Sequence, residues 1–540
     1  MKSRRFIRAS YILFFLAFVC GCSDTDQYLL DPMDYKHYIT RFNKNHTEIY
    51  PQYIPNDSTW KFLKKNIPLL DCPDKDIERT YYFRWWTFRK HIKKTPAGFV
   101  ITEFLPDVSW SGKHNTINCP AGHHIYEGRW LRNSKFISDY IDFWLKESGD
   151  GLRSYSFWIA DAVLAFNKIY RNDSIIISQL PYLVENYKQW EIFHRDSGNT
   201  LFWQIDNRDG MEFTASGRIL NGDEKNGWVE ATRPTINSYM YGDARAISSI
   251  AEISGNSELM KTFNEKASQL REEVQNRLWN DSLKFFTVLP RDYAETSKPL
   301  NVREQIGYVP WYFNLPDDNS TYPVAWQQLK DTLGFKAPYG PTTCEQGHPY
   351  FEVTYQGHAC QWNGPSWPFA TSQTLTAMAN LLNNYYQDIV SKQDYLRLLQ
   401  RYARCHLRTN EDGKKIAWID ENQNPFTGEW LARAILNQSE VNKYEERGKA
   451  YNHSSFCDLV ISGLIGVRPC LGDQVKINPL VPVNEWEWFC LDRIPYHGGE
   501  LTVLWDRKGK RYNRGKGFKV YYNGKIIHSS DKIEEFSIEL

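Results

Sequence analysis

Between residues 134 and 406 apolar positions recur at three- and four-residue spacing, with polar positions filling the gaps. That period belongs to helices with one buried face. It predicts helices over Ser134–Glu147, Tyr155–Tyr170, Asp173–Phe193, Thr235–Ile253, Ser257–Trp279, Pro368–Asn383 and Lys392–His406. Several come in pairs joined by short loops. In one joint Gly255 ends a helix and Ser257 is placed to cap the next. Repeated helical hairpins predict an α/α toroid, with an inner ring of helices and a pocket built by long loops at one end. No strict sequence repeat is visible, which excludes the standard solenoid classes. After Pro469 the pattern changes to strands, at Glu500–Asp506 and Gly517–Ile527, with Asn523-Gly524 as a hairpin turn. The fold class is therefore mainly α, with a small C-terminal β-sandwich-like domain. The expected divisions are 1–22 leader, 23–75 tether and N-terminal segment, 76–469 helical domain and 470–540 β domain.

The leader departs from this pattern. Lys2, Arg4, Arg5 and Arg8 precede a short apolar run from Tyr11 to Val19, too short to span a bilayer as a stable helix. It ends in Val19-Cys20-Gly21-Cys22. A small residue before Cys22 resembles the lipobox of bacterial lipoproteins, so Cys22 is the expected lipidation site. An exported protein, lipid-anchored in the bacterial envelope, is the expectation. The anchor is its only expected tie to a membrane.

Composition narrows the function. The chain of 540 residues carries a net charge of +1, which gives no support for a nucleic-acid partner. Aromatic residues make up 15%, with 20 Trp and 33 Tyr. Many must be core, but sugars stack on such rings, so the surplus suits a carbohydrate substrate. Outside the leader Cys72, Cys119, Cys344, Cys360, Cys405, Cys457, Cys470 and Cys490 are scattered without C-x-x-C spacing, which excludes common zinc patterns. His114, His123 and His124 lack neighbouring acidic ligands, and no metal site is expected.

Two segments carry candidate chemistry. In Asp209-Gly210-Met211-Glu212-Phe213-Thr214, Gly210 allows a tight path and Phe213 can shield the Glu212 carboxyl from water. Desolvation raises a carboxyl pKa and keeps its proton available for a leaving oxygen. Glu212 is the candidate general acid, with Asp209 as its competitor. In Asp420-Glu421-Asn422-Gln423-Asn424-Pro425-Phe426-Thr427-Gly428 a rigid turn presents Glu421, the candidate general base, with Asp420 as alternate. Two carboxylates from distant segments, beside aromatic rings, are what glycosidic hydrolysis requires. Gln361, Trp362, Asn363 and Trp367 flank a Gly-Pro bend and are candidate sugar contacts, as are Arg84, Trp85, Trp86, Arg129 and Trp130, which join donors to aromatic faces. His453, within Tyr451–Ser455, lines the pocket or caps the last helix. Specificity is expected from the loops 116–132, 219–233 and 339–361.

These segments resemble one clan of sugar hydrolases, which includes trehalases, processing α-glucosidase I and mannosylglycerate hydrolases. Gly210-Met211-Glu212-Phe213-Thr214 looks like its Gly-Trp-Asp-Phe-Ser motif, with Glu for the acid Asp. Glu421 stands three residues before Asn424-Pro425-Phe426-Thr427-Gly428, where the clan places its base. Trp362 to Pro368 is similar to the Trp-x-Gly-Pro-x-Trp-Pro segment that opens an inner helix. The resemblance runs from about Tyr81 to Pro469. It implies an (α/α)6 toroid, inversion at the anomeric carbon with carboxyls about 6.5–9.5 Å apart, exo action on an α-linked oligosaccharide or glycan, and no required cofactor, although some relatives hold a structural calcium. Two other functions compete: a polysaccharide lyase, with Tyr451, His453 and Arg129 as its candidate groups, and a non-catalytic sugar-binding lipoprotein.

Overall fold

The computed structural model describes residues 29–196, 198–222, 228–291, 297–354, 360–432 and 447–540. The leader with Cys22 lies outside the described residues, as do parts of the loops 219–233 and 339–361. The helices are α1 (Lys36–Asn45), α2 (Thr59–Asn66), α3 (Lys75–Phe88), α4 (Ala121–Gly128), α5 (Lys135–Asp142), α6 (Ile159–Tyr170), α7 (Asp173–His194), α8 (Ala215–Leu220), α9 (Pro234–Ile253), α10 (Ser257–Arg277), α11 (Val309–Tyr312), α12 (Pro368–Asn384) and α13 (Lys392–Cys405).

The long helices follow their predicted bounds because their ends carry local signals. The Asn172 side chain accepts from Ile175 N–H at α7, and Asn256 from Leu259 N–H at α10. Ser391 and Asp394 form a reciprocal capping box at α13. Two predicted helices differ. The one over Ser134–Glu147 changes at Phe143 into a π-helical turn, and the one from Tyr155 begins only at Ile159. The sequence pattern also passes over α1 to α4. In α3 most positions from Ile77 to Phe88 are buried, so no polar face marks the helix period.

Packing runs around a toroid. α4 lies on α6, α6 on α9, α9 on α11 and α11 on α12, which packs on a π-helical turn at Leu459–Leu464. α7 and α10 back α9 from outside, and α13 backs α12 and α3. The circuit returns to α4 chiefly through one side chain. The Glu127 carboxylate, buried, accepts the backbone N–H groups of Phe456 (3.1 and 3.2 Å), Cys457 (2.9 Å) and Asp458 (2.8 Å). Those groups open the last helical segment and would otherwise lack partners.

From Leu29 onward the segment expected to include a tether is folded. α1 packs on α3. Leu69–Asp71 is an outer strand of an antiparallel five-stranded sheet with Trp488–Tyr496, Gly499–Asp506, Gly517–Tyr522 and Lys525–Ser530. Val467–Pro469, Gln474–Ile477 and Phe536–Glu539 form a second, three-stranded sheet. Asn523 and Gly524 take φ of 49° and 75° at the predicted hairpin turn. Asp71 accepts from Arg511 at 2.7 and 2.9 Å and from the Tyr512 hydroxyl at 2.7 Å. The eight described cysteines are all free thiols, most of them buried.

Glu127→Ala strands several buried donors, each costing about 1–3 kcal/mol. The expected result in urea unfolding is a loss of more than about 3 kcal/mol, with Glu127→Gln intermediate because it keeps one acceptor oxygen. A loss for Glu127→Ala below about 1 kcal/mol would remove this carboxylate as the tie.

Candidate active site

The first carboxylate segment is fixed from below. The strand Trp203–Ile205 leads into a tight turn at Asp206–Asp209, and Gly210 leaves it with φ of 74°. A Cβ at Gly210 would collide with Cys119 Sγ, so only glycine fits. Asp206 is fully buried and accepts the Thr214 hydroxyl at 3.2 Å and the Asn207 N–H at 2.9 Å. Burial pushes its carboxyl up to about 6. Between them stands Glu212, followed by Phe213 in the left-handed region at φ 57°. A bulky residue there is strained, a condition common where a neighbour must be held in place.

Glu212 keeps part of its surface open, but protein surrounds the carboxyl. Burial pushes it up to about 8, the charge on Glu421 adds to the rise, and Arg447 opposes it. Glu421 is 1% exposed and is placed differently. The Arg447 guanidinium holds its two carboxylate oxygens at 2.9 and 3.1 Å, and the Cys360 thiol donates to it at 3.7 Å. Glu421 in turn keeps Arg447 firmly protonated. One carboxyl of the pair is desolvated, and the other is clamped by a cation.

Backbone pairing brings the three motifs together. The Trp362 N–H donates to the Glu212 carbonyl at 3.1 Å. Ser366 and Gln423 exchange both backbone bonds at 2.9 Å. Asn424 Oδ1 accepts from Phe426 and Thr427, which makes the turn after Glu421 rigid. Trp362 and Trp367 stack at 4.4 Å and 15°. The Trp367 indole N–H is spent on the Gln361 carbonyl at 2.7 Å. His453 meets the Glu421 carbonyl through Nε2 at 3.2 Å and packs edge-on to Trp367 and Tyr451. Its burial, with Arg84 and other histidines nearby, holds it neutral.

A third carboxylate was not expected. Glu103 follows the strand Gly98–Ile101, is 7% exposed, and takes the Tyr451 hydroxyl at 2.6 Å. Burial pushes it up to about 8, with Glu421 and Glu212 both contributing. Three carboxyls and Arg447 therefore share one electrostatic field. No sequence spacing signals Glu103 or Arg447, because both meet the site only through tertiary packing.

Several expected site residues serve the scaffold. Asp209 is buried in an ion pair with Arg233 at 2.9 Å and receives the Thr235 hydroxyl, so it is engaged away from the reaction role. Asp420 receives the Glu421 N–H at 3.0 Å and holds the turn. Arg84 is bound inside the core to the Ser454 carbonyl at 2.6 Å and His406 at 3.1 Å, where it supports the His453 segment from behind. Trp85 packs on Tyr81 and Phe88, and Trp86 on Phe42 with its N–H given to Asn43. Arg129 and Trp130 both bind Asp458 at 2.7 Å. That engagement also removes Arg129 as the uronate-neutralising group of a lyase. Gln361 and Asn363 give their amides to the Glu352 and Tyr350 carbonyls and shape the loop. His124 is spent on the Asn452 carbonyl and Tyr140. Residues 121–128 of the loop 116–132 form α4. Among the described residues no group of His, Cys, Asp or Glu is placed to hold a metal ion, and no helix is long and apolar enough to cross a membrane.

Residues 113–454, which hold Glu212, Glu421 and the segment between them, match the model of the mannosylglycerate hydrolase MGH1-like glycoside hydrolase domain. The chain belongs to that family. It is a glycoside hydrolase with a helical toroid. Residues 468–528 of the hydrolase match the C-terminal domain of glycosyl hydrolase family 65. A solved structure named as a sialidase is 41% identical, with a TM-score of 0.86 over 94% of this chain. The match spans 45% of the sialidase chain, so this hydrolase corresponds to less than half of it. Two more distant structures share the fold. The GH63 mannosylglycerate hydrolase of Thermus thermophilus, in complex with Tris and D-glycerate, is 10% identical with a TM-score of 0.51, over 71% of this chain and 100% of its own. The α-L-rhamnosidase of Streptomyces avermitilis complexed with L-rhamnose is 12% identical with a TM-score of 0.50, over 88% and 41%.

Because the folded state raises Glu212 from 4.5 to about 8, it holds a proton there that the unfolded chain has released. This acid therefore destabilises the fold progressively as pH rises from 4.5 to about 8. Glu212→Gln removes the penalty. Its thermal midpoint is expected to gain on wild type between about pH 5 and pH 8. A constant difference across that range would mean that Glu212 is not desolvated.

Proposed function

We propose that the protein is an exported, lipid-anchored, inverting glycosidase that removes terminal α-linked sugars from an oligosaccharide or glycan. Glu212 is the general acid and Glu421 the general base. The observation that carries this reading is the opposite treatment of the two carboxyls. Glu212 is pushed up to about 8 and has no direct cation partner among the described residues, while Arg447 grips Glu421 through both oxygens. An acid must keep its proton near neutral pH, and a base must have lost it. Arg447 keeps Glu421 ionised, ready to draw a proton from water as that water attacks the anomeric carbon. Glu212 gives its proton to the departing oxygen. The stacked Trp362 and Trp367, beside Glu212, form the aromatic wall of the sugar site.

Glu212→Gln is expected to slow cleavage of ordinary glycosides about 100- to 10,000-fold. It should retain most turnover on glycosyl fluorides, whose leaving group needs no proton. Glu421→Gln is expected to fail on both. Wild-type kcat/KM falls as pH rises through about 8, where Glu212 loses its proton. Proton NMR of the fresh product gives the stereochemistry on the same samples. Wild-type rates in either variant, or a retained anomer, would sink the assignment.

A further inference from the structure

Behind the turn that carries Glu421 the protein has two adjoining cavities of about 490 and 600 Å³, which share Tyr339, Arg404, Leu407 and Lys415. They lie between the end of α13, the two-stranded ribbon Leu407–Thr409 and Lys415–Ala417, and the Thr427–Trp430 stretch. Their walls are unusually basic for a chain of net charge +1. Arg404, Arg408 and Lys415 line the first cavity, and Arg41, Arg79 and Arg401 extend the second. Arg79 is answered by Asp76 at 2.7 Å. Among the described residues the other five make no ion pair. Arg401 is desolvated, and Arg404 beside it lowers its pKa further. Like charges crowded around a concavity with few counter-charges repel one another, and an anion placed between them relieves that cost. Glu429 is the acidic side chain of the first cavity and Asp76 that of the second, so the balance stays strongly positive.

The rest of the lining narrows the ligand. Tyr339 is 37% exposed, and its ring packs against Gly428, where a Cβ would strike it. Trp430 forms part of the same wall. The exposed Tyr339 ring among guanidinium groups, at a cleft wide enough for several sugar units, suits a chain that has both flat C–H faces and carboxylates. We propose that this groove is an accessory binding site for an acidic oligosaccharide, of the uronate-bearing class. It is separate from the pocket of Glu212, Glu421 and Glu103. It touches that pocket's support on both sides of Glu421: Arg408 lies over the Trp418 ring at 4.7 Å, three residues before Glu421, and Gln423 and Thr427, which follow it, line the first cavity. The groove would hold an acidic glycan on the protein while the terminal sugar is processed elsewhere.

Calorimetric titration of the full chain with an oligogalacturonate, and with a neutral maltooligosaccharide of equal length, tests the site without any need for turnover. The expected result is binding of the acidic chain alone, weakening as salt rises. The double variant Arg404→Glu, Lys415→Glu replaces exposed side chains and should bind at least about tenfold more weakly, a change of about 1.4 kcal/mol. Glu212→Gln should bind as wild type does, which keeps this result apart from the hydrolase assignment. Equal binding of neutral and acidic chains, undiminished binding by the double variant, or no binding of the acidic chain overturns the proposal. Capture by phosphatidylglycerol vesicles in place of the oligogalacturonate would also overturn it, in favour of a lipid surface.

Discussion

The structure hangs on one buried carboxylate. Glu127, at the end of α4, satisfies the backbone of Phe456, Cys457 and Asp458 and so joins the last helical segment to an early one. Residues 451–455 lie immediately before that junction. Their place decides where Tyr451 meets Glu103 and where His453 meets Glu421. Arg84 and Arg129 reinforce the same junction, through Ser454 and Asp458. Buried charges of this kind are costly to desolvate and tolerable only when their bonding capacity is filled. Here they spend that capacity on the chain segments that carry the reactive groups.

The long helices were legible in the sequence because their apolar stripes face one way and their ends carry caps. α1 to α4 were not: α3 and α4 are buried on nearly every side, and α1 and α2 carry their apolar stripe over only two or three turns. The segments of Glu212, Trp362–Trp367 and Glu421 could be found because each carries its own turn chemistry. The Arg84-Trp85-Trp86 run was misread for a related reason. Donors beside aromatic rings look alike whether they face a sugar or a core, and only the burial of α3 separates the two. Glu103 and Arg447 could not be seen at all. Glu103 stands 348 residues before the tyrosine that orients it.

A conflict of charges defines the pocket. Glu212 and Glu103 are both pushed up by burial and by the negative neighbours each has to face. Arg447 compensates Glu421 most directly and the others through space. Such crowding is poor for stability and useful for proton transfer, since it separates the affinities of otherwise similar acids. The strained Phe213 and the collision-bound Gly210 are further local costs at the same spot, and the extensive aromatic packing of the toroid offsets them.

The sheet has a consequence for how the chain comes to be folded. Leu69–Asp71 pairs with Cys490–Asp492, and Asp492 accepts the N–H groups of Leu29 and Leu30. During synthesis the early strand therefore emerges long before its partner exists. It must wait, unpaired, through production of every helix of the ring. Contacts so distant in sequence form slowly and leave open edges exposed meanwhile. Residues 29–30 and 69–71 on one side and 490–492 on the other then act as a clasp, fastened only after the helices between them have been made, and a product lacking residues 490–492 would leave the early segment unfastened.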